Sequence, residues 1–203
     1  MPKVSVLMPV YKTKEGYLRQ AIESILNQTF TDFEFLILDD CPEDDHEFVI
    51  KSYQDSRIKY YKNERNLGIS ESLNKLIDMA KGEYLTVFDY DDISLPERLE
   101  KEAAYLNEHL EIGVVGCKGQ RISNGKESKN PTNDHEIKVA LMRNCAVIHP
   151  SSMIRKSVLF NNHIRIFGIP FLTKISQGER FKTKLFGCIP FYSIKSSIKL
   201  QEK

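Results

Sequence analysis

Residues 83–92 read E-Y-L-T-V-F-D-Y-D-D, and this stretch decides the fold. Tyr84 to Phe88 is a short, almost wholly apolar run that ends abruptly in acid. Its length suits a strand rather than a helix, and its lack of polar alternation suits a strand buried on both faces, as in parallel sheets. Asp89, Asp91 and Asp92 follow at once. Carboxylates this close repel one another unless a cation neutralises them or water screens them. A hard divalent ion takes oxygen ligands and commonly bridges them to substrate phosphates. Taken alone, the tetrapeptide fits a solvated turn that caps the next helix at least as well, because short acidic motifs arise by chance.

The same design, an apolar strand running into a polar edge, recurs upstream. Val4 to Val10 (V-S-V-L-M-P-V) leads to Tyr11, and Phe33 to Leu38 (F-E-F-L-I-L) ends in Asp39-Asp40. Arg57 to Tyr61 predicts a shorter strand. Between them, Leu18, Ile22, Ile25 and Leu26 have helical spacing over Glu15 to Asn27. Glu43 to Tyr53 predicts a helix starting after Pro42. Leu73, Leu76, Ile77 and Ala80 mark another over Ile69 to Ala80, with Gly82 as its stop signal.

Downstream, Ser94 as cap and Pro96 in the first turn predict a helix with Leu99, Ala103, Leu106 and Leu110 on its apolar face. Ile112 to Cys117 reads as a strand and Lys118 to Asp134 as a loop or hairpin over the site edge. His135 to Arg143 reads as a short amphipathic helix, and Ala146 to Ile148 and Ser152 to Ile154 as short strands around His149-Pro150. Strands alternating with helices predict an α/β fold with a doubly wound, mostly parallel sheet. Such sheets bind ligands beyond the carboxyl ends of their strands. Pro9-Val10-Tyr11, Asp39-Asp40 and Asp89 to Asp92 all fall at that edge.

Composition narrows the function classes. The chain has 203 residues, enough for one domain with a real core, and a net charge of +1, so no global field draws it to nucleic acid. The balance is uneven. From Ser151 onward ten Lys/Arg residues stand against Glu179 and Glu202, a net +8 that leaves −7 on the first 150 residues. Cys41, Cys117, Cys145 and Cys188 form no C-x-x-C pair, which argues against zinc and thioredoxin-like chemistry and suits reduced structural thiols. No signal peptide is evident and no apolar run reaches the ~20 residues of a membrane span. A cytoplasmic protein is expected, peripheral at most to the inner face of the membrane.

The ordered segments V-S-V-L-M-P-V-Y, A-I-E-S-I-L-N-Q-T-F-T-D-F-E, L-I-L-D-D, N-L-G-I-S-E-S-L-N, K-G-E-Y-L-T-V-F-D-Y-D-D and P-E-R-L resemble the inverting family 2 of glycosyltransferases, which has the GT-A fold. H-P-S-S-M at residues 149–153 resembles a later segment of that family and extends the likeness to about residue 160. The resemblance implies a nucleotide-sugar-binding domain over residues 1–160 and a metal-dependent transfer of sugar from a UDP-linked donor to a glycan or lipid-linked acceptor in cell-surface polysaccharide synthesis. It implies that Pro9, Val10 and Tyr11 line the base and that Asp40 accepts a hydrogen bond from it. Asn66 and Gly68 then approach the nucleotide, Asp89 faces the ribose or the metal, and Asp91 ligates Mn²⁺ or Mg²⁺ directly.

The resemblance also breaks. An inverting transferase needs a base for the acceptor hydroxyl, which the family supplies from an acidic segment past H-P-x-x-M. Here Ser157 to Arg165 passes straight into I-F-G-I-P-F, and no Asp occurs after Ser151. The expectation is a GT-A fold truncated in its acceptor-binding part, with Asp134, Glu136 and His149 as weak candidates for a substitute base. A degenerate homologue that binds nucleotide without transferring sugar is the alternative. Nucleotidyl transfer to a sugar phosphate is disfavoured, because P-V-Y-K-T-K-E-G stands where a Gly-rich phosphate loop is expected. Residues 161–203 read as a basic aromatic tail, in which I-F-G-I-P-F is echoed by L-F-G-C-I-P-F. It resembles the carboxyl-terminal tail of some bacterial lipopolysaccharide-type sugar transferases. It either contacts anionic lipid or folds back on the domain.

Overall fold

The computed structural model describes residues 1–44, 46–141, 149–161 and 182–193. Strand β1 (Val4–Val10) leads to helix α1 (Glu15–Leu26), β2 (Phe33–Asp39), α2 (His46–Lys51), β3 (Ile58–Lys62), α3 (Ile69–Met79) and β4 (Tyr84–Val87). Then come β5 (Asp92–Ser94), α4 (Arg98–Glu108), β6 (Ile112–Arg121), α5 (Asp134–Leu141), a 3-10 turn (His149–Ser151), β7 (Ser152–Arg155), α6 (Lys156–Asn161) and β8 (Lys182–Ser193). One eight-stranded sheet runs β3-β2-β1-β4-β7-β6-β8-β5. Strands β3, β2, β1 and β4 are mutually parallel, and β7 enters antiparallel between β4 and β6. This is the mixed, mostly parallel α/β sheet that the strand–helix alternation predicts.

Alternation along the central strands explains the layers. Val4, Val6, Met8 and Val10 of β1 and Phe33, Phe35 and Ile37 of β2 join a core with α1 and α4, whose contributions include Leu18, Ile22, Leu99 and Leu106. The intervening Leu7, Leu36 and Leu38 face a second core, with Leu73, Leu76 and Ile77 of α3 and Val158 of α6. A strand covered on both faces has no room for polar alternation, which is why these segments read as continuous apolar runs.

Gly82 has a different task from the one its sequence suggests. Helix α3 has already ended, with Ala80 as its C-cap. A Cβ on Gly82 would lie 2.6 Å from the backbone nitrogen of Ser5 and 2.7 Å from the carbonyl carbon of Val4. The residue is small so that the turn can press on β1. Its N–H donates to Ser5 Oγ at 2.8 Å, and that hydroxyl donates to Glu34 Oε1 at 2.7 Å.

Ser94 does not cap α4. The helix opens at Arg98, its N-cap Glu97 makes no side-chain cap bond, and Ser94 closes β5. The first turn is capped from afar: Leu99 N–H donates to Gln28 Oε1 at 3.1 Å, while Gln28 Nε2 donates to the Leu95 carbonyl at 2.8 Å. At the other end, Arg155 Nη2 donates to the Leu106 carbonyl at 2.6 Å. Helix α4 is therefore held by side chains from two other segments.

The predicted helix over Glu43 to Tyr53 is reduced to α2, and β6 runs on past Cys117 to Arg121. The chain then turns back, with a bridge between Gln120 and Glu127. The predicted strand Ala146 to Ile148 and the first I-F-G-I-P-F copy lie outside the described residues. The second copy falls within β8, which pairs parallel with β6 and antiparallel with β5. Among the described residues no helix is long and apolar enough to cross a membrane.

Candidate functional site

Three neighbouring parallel strands deliver their carboxyl ends to one edge. Val10 of β1 is in register with Asp39 of β2, and Leu7 of β1 with Val87 of β4. Backbone bonds prolong the alignment, since Asp40 N–H donates to the Val10 carbonyl at 2.8 Å and Phe88 N–H to the Leu7 carbonyl at 2.9 Å. The polar residues after each strand are thereby set side by side.

After β4 the chain makes a tight turn, closed by Asp92 N–H donating to the Asp89 carbonyl at 3.2 Å. The turn gathers Asp89, Asp91 and Asp92, each offering a carboxylate oxygen, all within 4.8 Å of one another. Asp91 and Asp92 are buried and Asp89 is partly exposed. Hard oxygen donors at this spacing suit a divalent cation with its remaining positions open to phosphate or water. Asp92 belongs to this group although the resemblance pointed only to Asp89 and Asp91.

The two acids after β2 divide their work. Asp39, wholly buried, turns inward. Its Oδ1 accepts from Cys41 N–H at 3.0 Å and lies 3.0 Å from His46 Nδ1, and Oδ2 accepts from the Tyr60 hydroxyl at 3.3 Å. The hydrogen bond to Asp39 raises His46 above its ordinary 6.5 despite burial, with the charges of Asp39 and Asp44 adding to the effect.

Asp40 organises the N-L-G segment. Its Oδ1 accepts from Asn63 Nδ2 and Leu67 N–H, and its Oδ2 from Gly68 N–H, all at 2.8 Å. Asn66 Oδ1 also accepts from Gly68 N–H, at 2.9 Å. Gly68 is the N-cap of α3 with φ at +80°, a conformation that disfavours any residue with a Cβ. Asp40 and Gly68, far apart in sequence, are thus in direct contact, and Asn66 joins them through the same Gly68 N–H.

Pro9 and Val10 are buried and offer only backbone to the edge, whereas the Tyr11 ring is 38% exposed beside it. Lys12 follows in the left-handed region at φ +41°, rare for a non-glycine residue, and its ammonium lies 4.0 Å from Glu43. Asp134 and Glu136 open α5, whose start is capped by Asn133 Oδ1 accepting from Glu136 N–H at 2.9 Å. Neither joins a metal-ligating group among the described residues. His149 begins the 3-10 turn that precedes β7.

Beneath the acid turn lies a polar node that sequence reading missed. Arg98 is fully buried; Nη1 donates to the Pro150 carbonyl at 2.7 Å and Nη2 to Thr86 Oγ1 at 3.2 Å. Glu102, also fully buried, lies 4.0 Å from Arg98 Nε. Among the described residues neither Glu102 oxygen has a nitrogen or oxygen donor. The spacing would allow an ion pair, but the guanidinium aims its Nη groups elsewhere and burial prevails, pushing Glu102 from 4.5 up to about 8. Burial likewise pushes the neighbouring Cys117 thiol up to about 12. The only sequence signal for this node was the P-E-R-L segment, in which Arg98 has no apolar partner spacing to betray it.

The family profile described as Glycosyl transferase family 2 matches residues 5–171. An uncharacterized glycosyltransferase of Methanocaldococcus jannaschii is 39% identical over 168 residues, covering 78% of this chain and 57% of that protein. The O-antigen biosynthesis glycosyltransferase WbnJ of Escherichia coli is 34% identical over 164 residues, covering 77% of this chain and 63% of its own length. The chain thus spans about 57–63% of these two relatives. In structure, S. aureus TarS 1-349 in complex with UDP-GlcNAc superposes with a TM-score of 0.76 at 22% identity, over 94% of this chain and 58% of that one. At that identity the likeness is one of fold.

Proposed function

The chain belongs to glycosyl transferase family 2, and from that premise we propose that it moves a sugar, with inversion, from a UDP-linked donor to a glycan or lipid-linked acceptor of the cell surface. The observation that carries this reading is the gathering of Asp89, Asp91 and Asp92 within 4.8 Å at the carboxyl edge of the parallel strands. Two similar proteins support it in kind: the structural neighbour TarS in complex with UDP-GlcNAc, and the O-antigen biosynthesis glycosyltransferase WbnJ.

In this reading Asp91 and Asp89 hold Mn²⁺ or Mg²⁺, with Asp92 completing the acidic group. When bound, such a cation stabilises charge on the departing nucleoside diphosphate. Tyr11 and the backbone of Pro9 and Val10 border the base. Asp40 fixes the Asn66–Gly68 turn against the nucleotide, and its carboxylate keeps lone-pair capacity for a base N–H beyond the three bonds it already accepts. Gly68 leaves open space where a side chain would stand, with no heavy atom within 4 Å of its virtual Cβ. The basic residues of the 161–203 segment outside β8 are proposed to meet anionic lipid.

One observation favours a second reading. The segment just past H-P-S-S-M, residues 154–178, holds no Asp or Glu, so the general base is unassigned among Asp134, Glu136 and His149. A homologue that binds nucleotide and metal without transferring sugar would share the donor site. Calorimetry with UDP in the presence and absence of Mn²⁺, paired with an assay of UDP release from UDP-GlcNAc, separates the two. Transfer predicts both signals; the binding homologue gives heat and no release. Asp91→Ala should keep its far-UV circular dichroism and lose Mn²⁺-dependent UDP affinity by tenfold or more, roughly 1.4 kcal/mol. Equal affinity in that variant would end the metal assignment.

A further inference from the structure

Arg98 links two segments that the function above treats separately. Its Nη2 bonds Thr86 Oγ1, on β4, three residues before Asp89. Its Nη1 bonds the Pro150 carbonyl, in the turn that carries His149. The guanidinium also lies 5.4 Å from the centroid of Phe88, the residue that enters the acid turn. Thr86 closes the loop between the two segments, because its hydroxyl accepts from Arg98 and donates to the Ser152 carbonyl at 3.0 Å. Ser151 Oγ donates to the Cys117 carbonyl at 2.8 Å and so ties the same turn to β6.

A buried cation is costly, and well-packed apolar residues of similar volume often replace buried ions without loss of stability. Glu102 does not offset that cost by hydrogen bonding, since neither of its oxygens has a nitrogen or oxygen donor among the described residues. Packing alone therefore does not account for an arginine here. The two bonds it makes run to the two segments that flank the reaction edge.

We propose that Arg98 is a positioning residue: it holds the acid turn and the His149-Pro150 turn in one register, so that the metal–nucleotide site depends on a contact it never touches. The proposal rests on the donor-site reading given above. Arg98→Lys keeps the charge but cannot span both acceptors with a planar fork. Thr86→Val removes the shared hydroxyl and leaves Arg98 in place. Leu76→Ala, in the middle of α3 in the second core, supplies a destabilised variant remote from the node.

The experiment is calorimetric titration of each protein with UDP in the presence of Mn²⁺, together with thermal unfolding. Arg98→Lys and Thr86→Val should each weaken UDP affinity about tenfold, roughly 1.4 kcal/mol. Leu76→Ala should melt earlier and bind as the parent does. Parental affinity in both node variants would overturn the proposal, and so would an equal loss in all three, which would mean general loosening. Should Arg98→Lys fail to fold, Thr86→Val decides, and parental affinity there overturns the idea. A parent that binds no UDP with Mn²⁺ refutes the donor-site reading instead, and the proposal falls with it.

Discussion

Replacing Glu102 by glutamine should make the protein more stable, and increasingly so as the pH rises. Glu102 and Arg98 are both fully buried, and their 4.0 Å spacing is too long for a hydrogen bond. The carboxyl titrates near 8 in the folded chain against 4.5 for the free side chain. Because the folded pKa is raised, the group's contribution is complete below about pH 4.5 and is lost as pH climbs towards 8. In that window the unfolded chain releases the proton and the folded chain retains it, at roughly 1.4 kcal/mol per pH unit. At pH 7 the accumulated penalty is on the order of 3 kcal/mol. Glutamine has the shape of the protonated acid and carries no such penalty. Other carboxylates titrate alike in both proteins and cancel in the difference. Urea unfolding at pH 5, 6, 7 and 8, followed by far-UV circular dichroism since the chain has no tryptophan, measures the gap. The midpoints should nearly coincide at pH 5 and separate by about 1 M or more at pH 7, for slopes of about 2–3 kcal/mol/M. Parallel curves from pH 5 to 8 would mean that Glu102 is ionised throughout and paired with Arg98, and the account of the node would be wrong.

Further outcomes can be checked separately. The His46 ring should titrate above 6.5 by NMR, and Asp39→Asn should bring it down; its stabilisation is complete below 6.5 and fades as pH rises through the folded value. A ring that titrates below 6.5 would contradict the Asp39 contact. Gly82→Ala should cost about 1–3 kcal/mol, because the new methyl meets β1 backbone rather than a movable side chain; an unchanged melting temperature would refute the close approach. Gln28→Ala should cost about 2 kcal/mol through the loss of the α4 cap and the buried groups left behind, and a neutral result would show that α4 caps itself. Charge reversal at Lys195, Lys199 and Lys203 should reduce sedimentation with anionic vesicles, and unaltered binding would exclude the basic segment as the contact.

The parts legible in sequence were those governed by short-range patterns. The central strands showed as apolar runs because both their faces are covered, and the acids at their ends lay beside them in the chain. The strand order β2-β1-β4, which the sequence reading did not include, places Asp39-Asp40 and Asp89 to Asp92 on either side of β1. Which acid of a pair does what was not legible: Asp39 and Asp40 differ in role because one meets His46 and Tyr60 and the other meets Leu67 and Gly68, contacts set by tertiary packing. The α4 cap failed for the same reason. Ser94 and Pro96 form a sound local start signal, but Gln28, far upstream, accepts from the Leu99 N–H of the first turn instead. Arg98 and Glu102 were hidden because a periodic reading assigns charged residues to the solvated face, and here both are wholly buried.

Strand β8 comes late in the chain yet lies inside the sheet, between β6 and β5. Asp92 pairs with Ser193 and Ser94 with Phe191, so β5 has no sheet partner until the chain has grown by a further hundred residues or so. During synthesis the strands β1 to β4 can assemble as they emerge, because all four lie within the first 87 residues. The segment immediately after the acid turn must wait. The ligand-holding corner, tied early to α1 by Ser94 N–H donating to Ser24 Oγ, therefore gains its sheet partner later than β1 to β4 gain theirs. Loop closure over such a span adds one more high-contact-order pairing to folding.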